Sequence, residues 1–117
     1  MAVKVIVGLG NPGDDYKNSR HNLGFALVDR LAEHFSFNWK FDKKFNAEIA
    51  EGIYENEKLS LIKPQTFMNL SGYSVQKFKE YYKLSNDAFL VAYDDYNLNL
   101  GQSKLKIGGA DGGHNGI

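Results

Sequence analysis

Apolar positions recur along this chain with two different periods, and the period switches several times. From Val3 to Leu9 the residues are almost all apolar and rich in valine and isoleucine, which predicts a buried strand ended by Gly10-Asn11-Pro12-Gly13. Leu23, Leu27, Leu31 and Phe35 then recur at helical spacing, with Val28 and Ala32 beside them and Asp29, Arg30 and Glu33 off the stripe. That pattern predicts an amphipathic helix over residues 22–36. Glu48 to Tyr54 and Lys58 to Lys63 read as two strands joined by a turn at Glu55-Asn56-Glu57. Gly72 to Leu84 predicts a second helix, with Val75, Phe78 and Tyr82 inward and several lysines outward. Ala88 to Tyr93 is a continuous apolar run, the pattern of a strand covered on both faces, and Ser103 to Ile107 alternates as a more exposed strand would. Strands alternating with helices make this an α/β domain built on a mixed sheet.

Composition narrows the class without naming it. At 117 residues the chain is long enough for one core and short for two. Hydrophobic residues at 43% and charged residues at 24% are those of an ordinary globular domain. The absence of cysteine excludes disulfides, thiol nucleophiles and thiolate metal sites. No apolar run is long enough for a membrane span, and the β-branched start is unlike a signal peptide, so a cytoplasmic location is the expectation. Basic and acidic residues both number 14, so any nucleic-acid binding must rest on a local patch. The chain stops on a glycine-rich stretch, Gly108 to Ile117, which ordinarily leads into another element; truncation is the expectation.

Three predicted strands run into unusual polar groups: the first into Asn11, the one ending near Lys63 into Asn69, and the apolar run into Asp94-Asp95. Ligands of open α/β sheets sit outside the carboxyl ends of the strands, so these groups would build one site if the strands are parallel neighbours. His21, at the predicted start of the first helix, and Asn115, on the glycine-rich loop, would complete it. Each residue also has a plainer reading. Asn11-Pro12-Gly13 is a good turn, Asn69 and Ser71 can cap the second helix, Asp94-Asp95 can be a turn, and His21 can simply start its helix. His34, near the end of the first helix, suits the negative end of the dipole, and no two histidines have helical ligand spacing for zinc. Gly8-Leu9-Gly10-Asn11-Pro12-Gly13 matches the dinucleotide fingerprint, but Asp14 to Ser19 intervene before any helical pattern, and acidic residues after the loop would repel a pyrophosphate. The match is accidental. With no cysteine and no serine in a nucleophile elbow, the set suggests a hydrolase in which His21 activates water, Asp94 orients the imidazole, and Asn11, Asn69 and Asn115 hold an oxyanion.

At this point the blocks become recognisable. Val7-Gly8-Leu9-Gly10-Asn11-Pro12-Gly13, Tyr16 and Ser19-Arg20-His21-Asn22 resemble the opening of bacterial peptidyl-tRNA hydrolases. Lys63-Pro64-Gln65-Thr66-Phe67-Met68-Asn69-Leu70-Ser71-Gly72, Val91 to Asp95, Leu98 to Gly101 and Gly112-Gly113-His114-Asn115-Gly116 are similar to further blocks of that family, in the family's order. The resemblance implies a single domain over 1–117, the N-terminal portion of a three-layer, phosphorylase/hydrolase-like sandwich whose C-terminal part lies outside this chain. It implies cleavage of the ester between a peptide and the 3′ end of tRNA, with His21 as base, Asp94 as its partner and Asn11 checking for a blocked amino group. Tyr16, Phe67, Asn69 and Asn115 match substrate-contact positions, and His114 supports the loop. No cofactor, no metal, no membrane, a monomer, and peptidyl-tRNA as partner are implied with them. Tyr93 departs from the histidine that family members often carry there. The segments of longer family members beyond Gly116 supply a lid and a tRNA-binding helical region, and their absence would leave apolar sheet surface uncovered.

Lys77, Lys79, Lys83, Lys104 and Lys106, with Lys63, form a candidate phosphate-binding face, against the plainer reading of solvated lysines. A non-catalytic tRNA-binding fragment of the same fold is the alternative function, and a dinucleotide enzyme is the third and weakest.

Overall fold

The computed structural model describes residues 3–10, 23–65, 71–97 and 102–109. Among these residues six strands and two α-helices run in the order β1 (Val5–Gly8), α1 (Leu23–Phe35), β2 (Trp39–Asp42), β3 (Ala47–Tyr54), β4 (Glu57–Pro64), α2 (Ser71–Tyr81), β5 (Phe89–Asn97) and β6 (Gln102–Gly109). They form one mixed sheet in the order β2-β3-β4-β1-β5-β6. β1 pairs in parallel with β4 on one side and with β5 on the other, and the remaining pairings are antiparallel. The expected α/β class, mixed sheet and flanking helices are what the chain forms.

β1 is apolar throughout because it is central and covered on both faces. Val5 and Val7 point into one core with Ile62, Phe78, Phe89 and Val91. Ile6 packs on the opposite face, where Val28 and Ala32 of α1 meet Ala50, Leu59 and Leu61. The helices therefore lie on opposite faces, making three layers. The β3–β4 connection is a two-residue hairpin: Glu55 and Asn56 take φ of 51° and 68°, the pair of left-handed conformations that matches the twist of the strands.

The structure rotates two predicted faces. The buried side of α1 is Gly24, Phe25, Val28 and Ala32, and the evenly spaced Leu27, Leu31 and Phe35 flank it half-buried. Small residues let the helix axis approach the sheet more closely than a leucine stripe would. On α2, Ser74 and Phe78 point inward, and Tyr82, expected inside, is 41% exposed just past the helix. β2 is an additional strand; its four residues had no place among the predicted elements. Among the described residues no helix is long and apolar enough to cross a membrane.

Ser74 Oγ is buried and has no hydrogen-bond partner among the described residues. Removing an unsatisfied hydroxyl from a helix interior relieves desolvation and gains helix propensity, so Ser74→Ala is expected to be neutral or stabilising by about 1 kcal/mol. Urea unfolding measures this directly; a loss of about 1 kcal/mol or more would show that the hydroxyl is held by a partner.

Candidate active site

The condition set by the sequence, that the strands leading to Asn11, Asn69 and Asp94 be parallel neighbours, is met: β4, β1 and β5 are adjacent and parallel. Their carboxyl ends share one edge of the sheet. β1 ends at Gly8, opposite Ala92, and the Leu9 amide still donates to the Ala92 carbonyl at 2.8 Å before the chain leaves towards Asn11. β5 runs on past that level, so the backbone of Asp94 stands two residues beyond Ala92, paired with Leu105 of β6. β4 ends at Pro64. There the Gln65 amide donates to the Asn46 carbonyl at 2.8 Å and the Gln65 side chain donates to the Lys63 carbonyl at 3.1 Å, fixing where the chain departs towards Phe67 and Asn69.

α1 starts at this same edge, and glycine lets it do so. A Cβ on Gly24 would sit 2.6 Å from the backbone N and O of Leu9 and closer still to the Ala92 carbonyl oxygen. A Cβ on Gly8 would press on the Gly24 carbonyl and lie 2.7 Å from Val28 Cγ2. The first turn of α1 is thus wedged against the ends of β1 and β5 by two missing side chains. Gly8 belongs to the apparent dinucleotide fingerprint; here its use is helix–strand contact, and α1 begins only at Leu23. His21 precedes that first turn by two residues.

Beneath the edge, on the α1 face, Lys63 is 6% exposed. Its Nζ donates to Asp29 Oδ1 at 2.6 Å and lies 4.3 Å from the centre of the Trp39 ring. The ammonium is thereby held by a carboxylate of α1 and the π-face of β2. This corrects the expectation that Lys63 joins an exposed phosphate-binding face: it is a buried tie between β4, α1 and β2. Of the other lysines in that group, Lys77, Lys83 and Lys106 are exposed and Lys79 is half-buried.

His21, Asn11, Tyr16, Phe67, Asn69, His114 and Asn115 lie outside the described residues, and of Asp94 the backbone alone is described. The scaffold residues that sequence reasoning missed are Gly8, Gly24 and the Lys63–Asp29–Trp39 group. A glycine closing a buried strand and a second glycine in the first turn of the next helix are the signal that points to the close contact. Nothing local marks Lys63 for burial. Two open clefts of 580 and 560 Å3, one beside β2 and β3 and one beside α1 and β2, contain none of the residues selected from sequence.

Comparison with known proteins agrees with the blocks. Residues 5–117 match the family described as peptidyl-tRNA hydrolase. The chain is similar to the peptidyl-tRNA hydrolase of Bartonella bacilliformis, with 51% identity over 97% of this chain and 58% of that protein. It is similar to the Rickettsia prowazekii protein of the same name at 45% identity over 97% of this chain and 61% of that one. Its fold is similar to the crystal structure of peptidyl-tRNA hydrolase from Acinetobacter baumannii, with a TM-score of 0.80 and 43% identity over 98% of this chain and 59% of that one. The chain thus spans about 60% of the length of the curated relatives it matches.

Proposed function

Because this chain belongs to the peptidyl-tRNA hydrolase family, we propose that it carries the chemistry that hydrolyses the ester between a peptide and the 3′ end of tRNA, releasing both. The observation that carries the reading is the parallel β4-β1-β5 order, which supports one site built from the segments that follow β1 and β4 and from the far end of β5. His21 is the general base. It takes a proton from water as the water oxygen attacks the ester carbonyl carbon and the carbonyl electrons move onto oxygen. Asn69 and Asn115 donate hydrogen bonds to that oxyanion without adding charge. On collapse the bond to the ribose oxygen breaks, and the His21 imidazolium returns its proton to the leaving oxygen. Asp94 holds the imidazole tautomer and balances the imidazolium.

Selectivity for peptidyl over unblocked aminoacyl esters rests on the peptide bond beside the ester. Asn11 reads that amide, since a site built to hydrogen-bond a group discriminates strongly against substrates lacking it. Tyr16 and Phe67 cover the terminal nucleotide or the peptide with aromatic faces, and His114 supports the Asn115 loop. An aminoacyl ester is activated, so one base and a few oxyanion donors suffice, without a cofactor and in a monomer.

The test is release of N-acetyl-amino acid from N-acetyl-aminoacyl-tRNA, with unblocked aminoacyl-tRNA as the specificity control. Cleavage of the blocked ester is expected, and His21→Ala is expected to slow it by roughly 10²–10⁴-fold while leaving the circular dichroism spectrum unchanged. A folded protein that binds tRNA without cleaving the ester would overturn the reading in favour of a non-catalytic tRNA-binding fragment.

A further inference from the structure

The chain is electrically balanced, but its lysines are not evenly spread. From residue 71 to 84 the single acidic side chain is Glu80, against Lys77, Lys79 and Lys83, and Glu80 accepts a hydrogen bond from Gln76 at 3.0 Å. α1, on the other face, carries Asp29 and Glu33 beside Arg30. The basic helix also exposes aromatic rings. Tyr73 is 64% and Tyr81 56% exposed, two rings presented to solvent by one helix. Their spacing puts Tyr73, Lys77 and Tyr81 on one helical stripe, about 12 Å long at 1.5 Å per residue. Lys77 Nζ stands 5.0 Å from the centre of the Tyr73 ring. Lys44, from the β2–β3 connection, reaches across to stand 3.9 Å from the centre of Tyr81. Phe45 beneath contacts Tyr81 at 5.5 Å and so fixes the far end of the stripe to the core. Hydrogen bonding with Tyr81 holds the Lys44 ammonium above the usual lysine value, with a smaller contribution from Asp42.

We propose that this stripe, Tyr73-Lys77-Tyr81 with Lys44, is an RNA-docking surface that takes the phosphate backbone of a tRNA and stacks an unpaired nucleotide on Tyr73. Two features fit that occupant together. Lysines in a row, with the carboxylates of Glu80 and Asp42 each already accepting a hydrogen bond, complement a polyanion. Exposed rings offer the flat faces on which bases stack, with adjacent cations to meet the phosphates between them. The placement fits as well. α2 starts at the carboxyl edge of the sheet, where β4 ends, so Tyr73 lies at its end nearer the candidate site, and Lys44 sits in the β2–β3 connection, which the Asn46 carbonyl ties to Gln65 at that same edge. A nucleic acid whose 3′ end is in the site would thus meet Tyr73 and Lys44 as it leaves that edge. The surface differs from the lysine group first read from sequence: Lys63 is excluded by burial, and Lys44 and the tyrosines are added.

This inference rests on the hydrolase reading for the identity of the RNA, and is tested apart from it by binding of deacylated tRNA, which has no ester to cleave. Anisotropy of fluorescein-labelled deacylated tRNA is titrated with the protein and with Lys44→Gln/Lys77→Gln, Tyr73→Ala and Arg30→Gln, the last a charge control on the exposed face of α1, at several salt concentrations. The double lysine variant is expected to bind about tenfold more weakly, with a log–log salt slope shallower by about two. Tyr73→Ala is expected to lose roughly tenfold with an unchanged slope, and Arg30→Gln to bind as the parent does. In the hydrolysis assay the stripe variants should raise KM and leave kcat alone. Parental affinity and slope in the double variant would overturn the proposal, and so would an equal loss from Arg30→Gln, which would report bulk charge only. Stripe-dependent tRNA binding without hydrolysis would leave the surface standing and remove the catalytic reading; hydrolysis with a KM indifferent to the stripe would do the reverse.

Discussion

Gly24→Ala is expected to destabilise the fold by about 3 kcal/mol or more, lowering Tm by roughly 12 °C or more. The added methyl meets backbone, not a side chain that can turn away: the Leu9 amide and carbonyl and the Ala92 carbonyl. The Leu9 amide and the Ala92 carbonyl form the hydrogen bond that holds the end of β1 to β5, so relief requires α1 to lift off the sheet or that bond to break. Either movement displaces the first turn of α1, where the segment that carries His21 ends. Activity should therefore fall in whatever fraction remains folded. Thermal unfolding followed by circular dichroism decides it, and a Tm within about 2 °C of the parent would show that the helix can yield at low cost. Gly8→Ala should act at the same contact. The double variant should then lose less than the sum of the two, because a helix already lifted by one methyl has room for the other.

Asp29→Ala is expected to cost about 2–3 kcal/mol, below the figure for a fully buried ion pair because the Asp29 side chain is 27% exposed. The substitution takes away an anion 2.6 Å from an ammonium whose own side chain is 8% exposed. Lys63→Met should cost less. It leaves a carboxylate that water can reach and replaces the ammonium with an apolar chain suited to the Trp39 face. The asymmetry is the substance of the prediction, and the double variant should be closer to Lys63→Met than to Asp29→Ala. Trp39 is the one tryptophan in the chain and stands 4.3 Å from Lys63 Nζ, so urea unfolding followed by its emission reads the site itself. Equal costs for the two single variants, or a cost under about 0.5 kcal/mol for Asp29→Ala, would mean that the pair is solvated in solution and contributes as a surface ion pair does.

Single residues depart from the sequence expectation where a residue's type and its setting disagree. Lysine is by type a surface residue, so Lys63, next to the proline that ends β4, reads from sequence as exposed. Its burial is decided by Asp29 and Trp39, which come from two other elements. Helical periodicity turns Tyr82 inward, but α2 ends at Tyr81 and periodicity stops applying there. β2 escaped notice because Trp39-Lys40-Phe41-Asp42 is a short edge strand whose alternation is no longer than chance would supply.

By itself the sequence determined both helices and five of the six strands, their order, the α/β class and the blocks that place the chain in its family. Those features are written locally: in the period of apolar positions, in turn residues such as Asn56, and in short runs of chemistry. Only the tertiary structure decided that β1 lies between β4 and β5, that two glycines bring α1 onto their ends, and that Lys63 faces inward while Lys44 faces Tyr81 of α2. Strand order depends on which edges pair across long stretches of chain, and burial on which side chains then meet. Both are balances of non-local hydrogen bonding, packing and desolvation, which no window along the chain contains.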